Sequence, residues 1–136
     1  MKILNTNKNI HNMLNLIGRL LLVILFILSG IGKITGYEGT QQYMDALGVP
    51  SALLPIVISL ELGGSLLLIV GYQTRLIALL MAGYSVITAL IFHQPLSDQI
   101  QFLMFWKNIS MAGGFLIVAS SGAGLFSFDA FRQQKL

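Results

Sequence analysis

Cysteine is absent from all 136 residues, and that alone removes several chemistries. No disulfide, thiolate nucleophile or thiolate-held iron–sulfur cluster can be built from this chain. Charge is almost as scarce: eight Lys and Arg against five Asp and Glu make 10% of the residues, where a soluble domain carries about a quarter. The cations form no patch or stripe, which excludes nucleic acid as a partner. Histidine occurs only twice. His93 and Asp98 share one loop, but no Glu-x-x-His pair exists, so no metal site and no two-histidine haem is expected. Phosphate loops, dinucleotide fingerprints and catalytic triads are missing as well.

What the chain has in excess is apolar surface. Hydrophobic residues make up 55%, with a mean hydropathy of +0.80. Four apolar runs, about 14–33, 51–70, 75–92 and 102–120, each approach the ~20 residues that cross a hydrocarbon core as a helix. The pattern predicts an all-α integral membrane four-helix bundle, one domain over 1–136, with no room for a soluble catalytic module. The first run is too long for a secretion signal, contains Arg19 and lacks a small-residue cleavage site before Lys33.

Between the runs the sequence is informative in places. Residues 1–13, rich in Asn, read as a tail on the membrane surface, with no role for His11. Residues 37–50 read as a short interfacial helix anchored by Tyr37 and Tyr43 and closed by Gly48, with partial closure over the bundle as the alternative. Pro55 fits a first helical turn. The link GYQT is so short that it forces an antiparallel hairpin, with Thr74 as the expected N-cap. Small residues Ser29, Gly30 and Gly32, and again Gly63, Gly64 and Ser65, permit close helix packing. Trp106 reads as an interface residue, and Leu125, Phe128 and Phe131 with Arg132 and Lys135 as a helix lying on the membrane. Six cations (Lys2, Lys8, Arg19, Arg75, Arg132, Lys135) fall on the side of the termini and two (Lys33, Lys107) on the other. This bias places both termini in the cytoplasm.

The most telling residue is Glu61, an acid near the middle of the second run. A carboxylate at that depth costs several kcal/mol unless it is answered. Measured from helix centres, Lys107 lies about 6 Å to the outer side of the midplane and Arg19 about 7 Å to the inner side. Helical side chains lean towards the N-terminus, so Glu61 leans outward. Lys107 is therefore the expected partner, with Asn108 completing the hydrogen bonds and Arg19 as second choice. An outward polar chamber of Glu61, Lys107, Asn108, His93 and Lys33 follows, against the plainer reading of a pair that only fixes helix packing.

Five segments carry a family resemblance: Arg19 with FILSGIGKI (26–34), YEGTQQYMDALGVP (37–50), Glu61 followed by two glycines, GYQTR (71–75) and FWKNISMAGGFL (105–116). Through them the chain resembles the DoxX family of small bacterial inner-membrane proteins, in particular its YphA-like members. The resemblance implies a four-helix membrane bundle and a link to redox work: relatives include a subunit of a thiosulfate:quinone oxidoreductase and a partner of a superoxide dismutase and a sulfurtransferase. It implies no catalytic residues. The expectation is a subunit of a quinone-linked redox complex, with quinone as the candidate cofactor and no catalysis by the isolated chain. A non-catalytic scaffold or assembly subunit is the alternative. A small-solute carrier ranks last, because no inverted repeat or broken helix is visible. Protein partners, and other copies of the chain, are expected within the bilayer.

Overall fold

The structure is a computed structural model that describes residues 2–135, with side chains from residue 7 onward. Six helices follow one another: α1 (Lys2–Thr35), α2 (Tyr37–Ala46), α3 (Leu54–Val70), α4 (Thr74–Phe92), α5 (Gln99–Ser121) and α6 (Phe128–Gln133). A single 3₁₀ turn, Ser51–Leu53, leads into α3, whose first turn contains Pro55 as expected. Stretches 7–35, 51–70, 74–92 and 99–121 are each long and apolar enough to cross a membrane. Their outward residues, among them Leu21, Leu28, Ile56, Leu66, Leu79, Ile87 and Ile117, are large, apolar and exposed, as acyl-chain contact requires.

One boundary differs substantially from expectation. Residues 1–13 are not a surface tail: from Lys2 onward they are the first turns of α1. Its 34 residues run about 51 Å, well beyond a ~30 Å hydrocarbon core. The polar Asn-rich turns are needed inside the fold. Asn12 is buried and accepts a hydrogen bond from the Leu125 amide, and Asn15 donates to the Gly122 carbonyl. His11 is exposed, and the side chain of Lys2 lies outside the described residues.

Packing follows the small residues. α1 lies on α3, and α5 lies on α4 through Ala78, Ala82 and Ala112. Phe26 joins the two pairs, with its ring 5.5 Å from Phe115 and 6.1 Å from Tyr84. A Cβ at Gly30 would come within 2.7 Å of the Leu62 side chain, which would have to shift, whereas one at Gly32 or Gly63 would meet nothing within 4 Å.

The end of the bundle near the termini is tied together by two devices that local pattern reading misses. Arg19, only 1% exposed, donates to the carbonyls of Leu68, Ile69, Ala123 and Phe126 and to Asn15 Oδ1. It satisfies the last carbonyls of α3, which have no intrahelical donor, rather than reaching the headgroups. The second device caps α4. Thr74 is not the N-cap: Gln73 occupies that position, at φ 49°, and its side chain makes no capping bond. Instead the Asp129 carboxylate of α6 accepts from the amides of Gln73 (2.8 Å) and Thr74 (2.9 Å). Gly71, at φ 71°, ends α3, and its carbonyl accepts from the Asp129 amide. Ser127 lies so close to Gly71 that no side chain fits there. Burial pushes the Asp129 carboxyl up, but the two amides and nearby Arg132 outweigh it and hold it below its ordinary value.

Candidate functional site

The opposite end of the bundle, the one carrying α2, contains the polar residues that an apolar run cannot ignore. Glu61 faces inward from the middle of α3 and is 3% exposed. Lys33, in the last turn of α1, reaches both carboxylate oxygens, at 3.0 and 3.2 Å, and also donates to Ser29 Oγ. Tyr84 of α4 donates its hydroxyl to Glu61 Oε1 at 2.6 Å. Three helices are thus joined at one carboxylate, α1 by the only salt bridge among the described residues and α4 by the tyrosine hydrogen bond.

This corrects the expected pairing. Glu61 is answered by Lys33 and not by Lys107, whose ammonium contacts Met104 Sδ at 3.1 Å and no carboxylate. The reason is adjacency: α3 packs on α1 and α4, whereas α5 packs on α4. Measured along α1, Lys33 lies about 13 Å to the outer side of the midplane, and the lean of helical side chains shortens that gap. Lys33 leans back along α1 towards the midplane while Glu61 leans forward to meet it. Arg19, the second choice, is committed to backbone carbonyls at the other end of α1. Tyr84 was not singled out from the sequence, and Ser29 only as a small residue for close packing. The available signal was the repeat of hydroxyl side chains in otherwise apolar α4, Tyr84, Ser85 and Thr88.

A cavity of about 270 Å³ opens beside this carboxylate. It gathers Glu61, Lys33, Lys107, Asn108 and His93 on one wall or another, together with Tyr84 and Thr88. Leu25, Phe26, Phe92 and Met111 supply its apolar walls. The polar groups differ in how far they are committed. Asn108 Nδ2 donates to Thr88 Oγ1 at 3.2 Å, and His93 Nδ1 lies 3.1 Å from Gln101 Oε1. Lys107 has only a thioether, a weak acceptor for a charged donor. Tyr43 of α2 stands at the rim, its hydroxyl donating to the Phe92 carbonyl at 3.2 Å. α2 therefore borders the cavity as well as lying at the bundle end. No cluster of metal-binding side chains occurs among the described residues.

Chemically, this is a ring-sized, apolar-walled space with one fixed anion already neutralised and one cation with no anion. Such a space suits a small neutral molecule bearing hydrogen-bond acceptors.

Comparison with known proteins agrees with the architecture. The family model DoxX matches residues 14–94. Inner membrane protein YqjF of Escherichia coli (strain K12) is 49% identical over 120 residues, covering 88% of this chain and 92% of that protein. Inner membrane protein YphA of the same organism is 38% identical over 121 residues, covering 84% and 86%. "Putative oxidoreductase CatD" of Bacillus subtilis (strain 168) is 34% identical over 64 residues, about half of each chain. No solved structure matches. With four membrane-spanning helices and these relatives, the chain is a multi-pass inner-membrane protein and belongs to the DoxX family.

Proposed function

We propose that the cavity beside Glu61 binds the ring of a membrane quinone, and that the chain serves as the membrane subunit of a redox complex. The observation that carries this reading is the Lys107 ammonium, which faces an apolar-walled space with no carboxylate to answer it. A half-buried ammonium answered only by a thioether is under-satisfied, and a ligand carbonyl oxygen would relieve that cost. The volume of about 270 Å³ admits one ring and little more. Lys107 would donate to one carbonyl oxygen, with Asn108 or His93 as the second donor across the ring. Bound there, a quinone supplies two-electron, two-proton redox chemistry. The chain's own part is to exclude water, orient the ring and hold a proton within reach. The Tyr84 hydroxyl on Glu61 is the group placed for that last task. The word oxidoreductase in the name of CatD points the same way, although that likeness spans half the chain. The excess of cations at the terminal end supports cytoplasmic termini.

A scaffold reading has its own support. The Lys33–Glu61–Tyr84 cluster is complete without a ligand, and that is all a packing lock requires. Equilibrium binding separates the two. Purified protein in lipid nanodiscs, titrated with a fluorescent or tritiated short-tailed quinone, should bind one per chain. Lys107→Met should weaken binding about tenfold or more, the worth of one hydrogen bond to a charged donor, while leaving the melting curve unchanged. No binding by the wild-type chain, or equal binding by Lys107→Met, refutes the quinone reading.

A further inference from the structure

A cavity of about 680 Å³, larger than the one beside Glu61, lies at the other end of the bundle under α6. Arg75 and Arg132 line it, and neither forms a salt bridge among the described residues. Arg75 donates to the carbonyls of Ala119 and Ser120 at the end of α5, and Arg132 sits 5.7 Å over the Tyr72 ring. Asp129 is the lining carboxylate, and both its oxygens are already occupied by the amides of Gln73 and Thr74. With two arginines against one carboxylate that is already hydrogen-bonded at both oxygens, the lining carries a net positive charge.

A second opening adjoins it. Between α1 and α5, which meet at fewer points than the other packed pairs of long helices, runs a groove of about 480 Å³ with mainly apolar walls. Leu21, Leu22, Ile117 and Val118 wall it, and Gly18 leaves it open, since a Cβ there would meet nothing within 4 Å. Ser121 lines both spaces. From Ser121 to Gly114 the groove follows α5 for about 10 Å towards the bilayer centre. The polar cavity thus stands at the level of the helix ends, where headgroups lie, and the groove leads inward from it, where acyl chains lie. Exposed Leu125, Phe126, Phe128 and Phe131 keep this end at the membrane surface.

We infer that these two spaces together form a site for one phospholipid whose headgroup carries a net negative charge, its phosphate beside Arg75 and Arg132 and one acyl chain in the α1–α5 groove. A water-soluble phosphate would use only the first space. The site is independent of the cavity beside Glu61 and of any ligand there.

Native mass spectrometry of protein released from nanodiscs of equal parts phosphatidylglycerol and phosphatidylcholine tests this. One phosphatidylglycerol per chain should persist, preferred about fivefold over phosphatidylcholine, as expected for one basic residue at an anionic surface. Arg132→Gln should bring the ratio to near one. Gly18→Leu, whose Cβ meets nothing within 4 Å and whose side chain occupies the groove, should lower retention of the intact lipid without lowering the melting temperature. Equal retention of the two lipids by the wild-type chain overturns the inference, as does a ratio indifferent to Arg132→Gln. Displacement by glycerol 3-phosphate, together with no effect of Gly18→Leu, assigns the site to a soluble phosphate and overturns the lipid.

Discussion

Replacing Lys33 by Met removes the base that answers Glu61 and leaves a carboxylate whose side chain is 4% exposed. Breaking a buried ion pair from one side costs about 3–5 kcal/mol. Lys33 retains 24% of its side-chain exposure, so water screens the pair on one side and about 2–4 kcal/mol is the better expectation. Glu61→Gln keeps an acceptor for both Tyr84 and Lys33 and should cost about 1–2 kcal/mol. The double variant has no unanswered charge, so it should be more stable than the sum of the singles implies, by about 1–3 kcal/mol. Thermal melting in detergent micelles, followed by far-ultraviolet circular dichroism, reads these differences at roughly 3–5 °C per kcal/mol for a chain of this length. Lys107→Met is the internal control and should fall within about 0.5 kcal/mol of wild type. If Lys107→Met melts as low as Lys33→Met, or if the two single variants simply add, then the assigned partner of Glu61 is wrong.

Three further outcomes follow from the packing. Arg19→Lys keeps the charge but cannot fork to four carbonyls, so it should lower stability by about 2–4 kcal/mol in the same melting assay. Asp129 is held below its ordinary value, so its contribution is full above that value, 3.8, and is lost as pH falls below it. Asp129→Asn should therefore melt lower at pH 7 and show a flatter loss of stability between about pH 4 and pH 2 than wild type. Gly30→Ala pushes against Leu62 and should cost about 1–3 kcal/mol, whereas Gly32→Ala meets nothing and should be neutral or gain up to about 1 kcal/mol of helix propensity.

Much of the fold was legible because bilayer thickness demands a length of apolar chain, and length survives in sequence without knowledge of contacts. The 51–70 span matches its expected bounds, and the others shift only at their polar ends. The start of α1 was not legible: Asn7, Asn9 and Asn12 look like solvated tail until a second segment, 122–126, arrives to bond with Asn12 and with Asn15 one turn on. The site divides in the same way. Glu61 stands out because an acid in an apolar run is costly wherever it points. Its partner does not, because connection lengths give the order of helices along the chain and not which helix lies beside which. Lys33 and Lys107 could both reach the depth of Glu61, and only the α1–α3 packing decides between them. Tyr84 was hidden for a related reason, since a single tyrosine in a span is common enough to pass for an apolar residue.

The Asp129 carboxylate caps a helix that begins 55 residues earlier in the chain. During synthesis, the α3–α4 hairpin must therefore enter the bilayer with the first amides of α4 still open to water. Arg19 waits in the same way for the carbonyls of Ala123 and Phe126. Both contacts close only once residues 123–129 have been made, so a chain stopped after α5 would contain the four described spans and still lack the latch that holds the helix ends together.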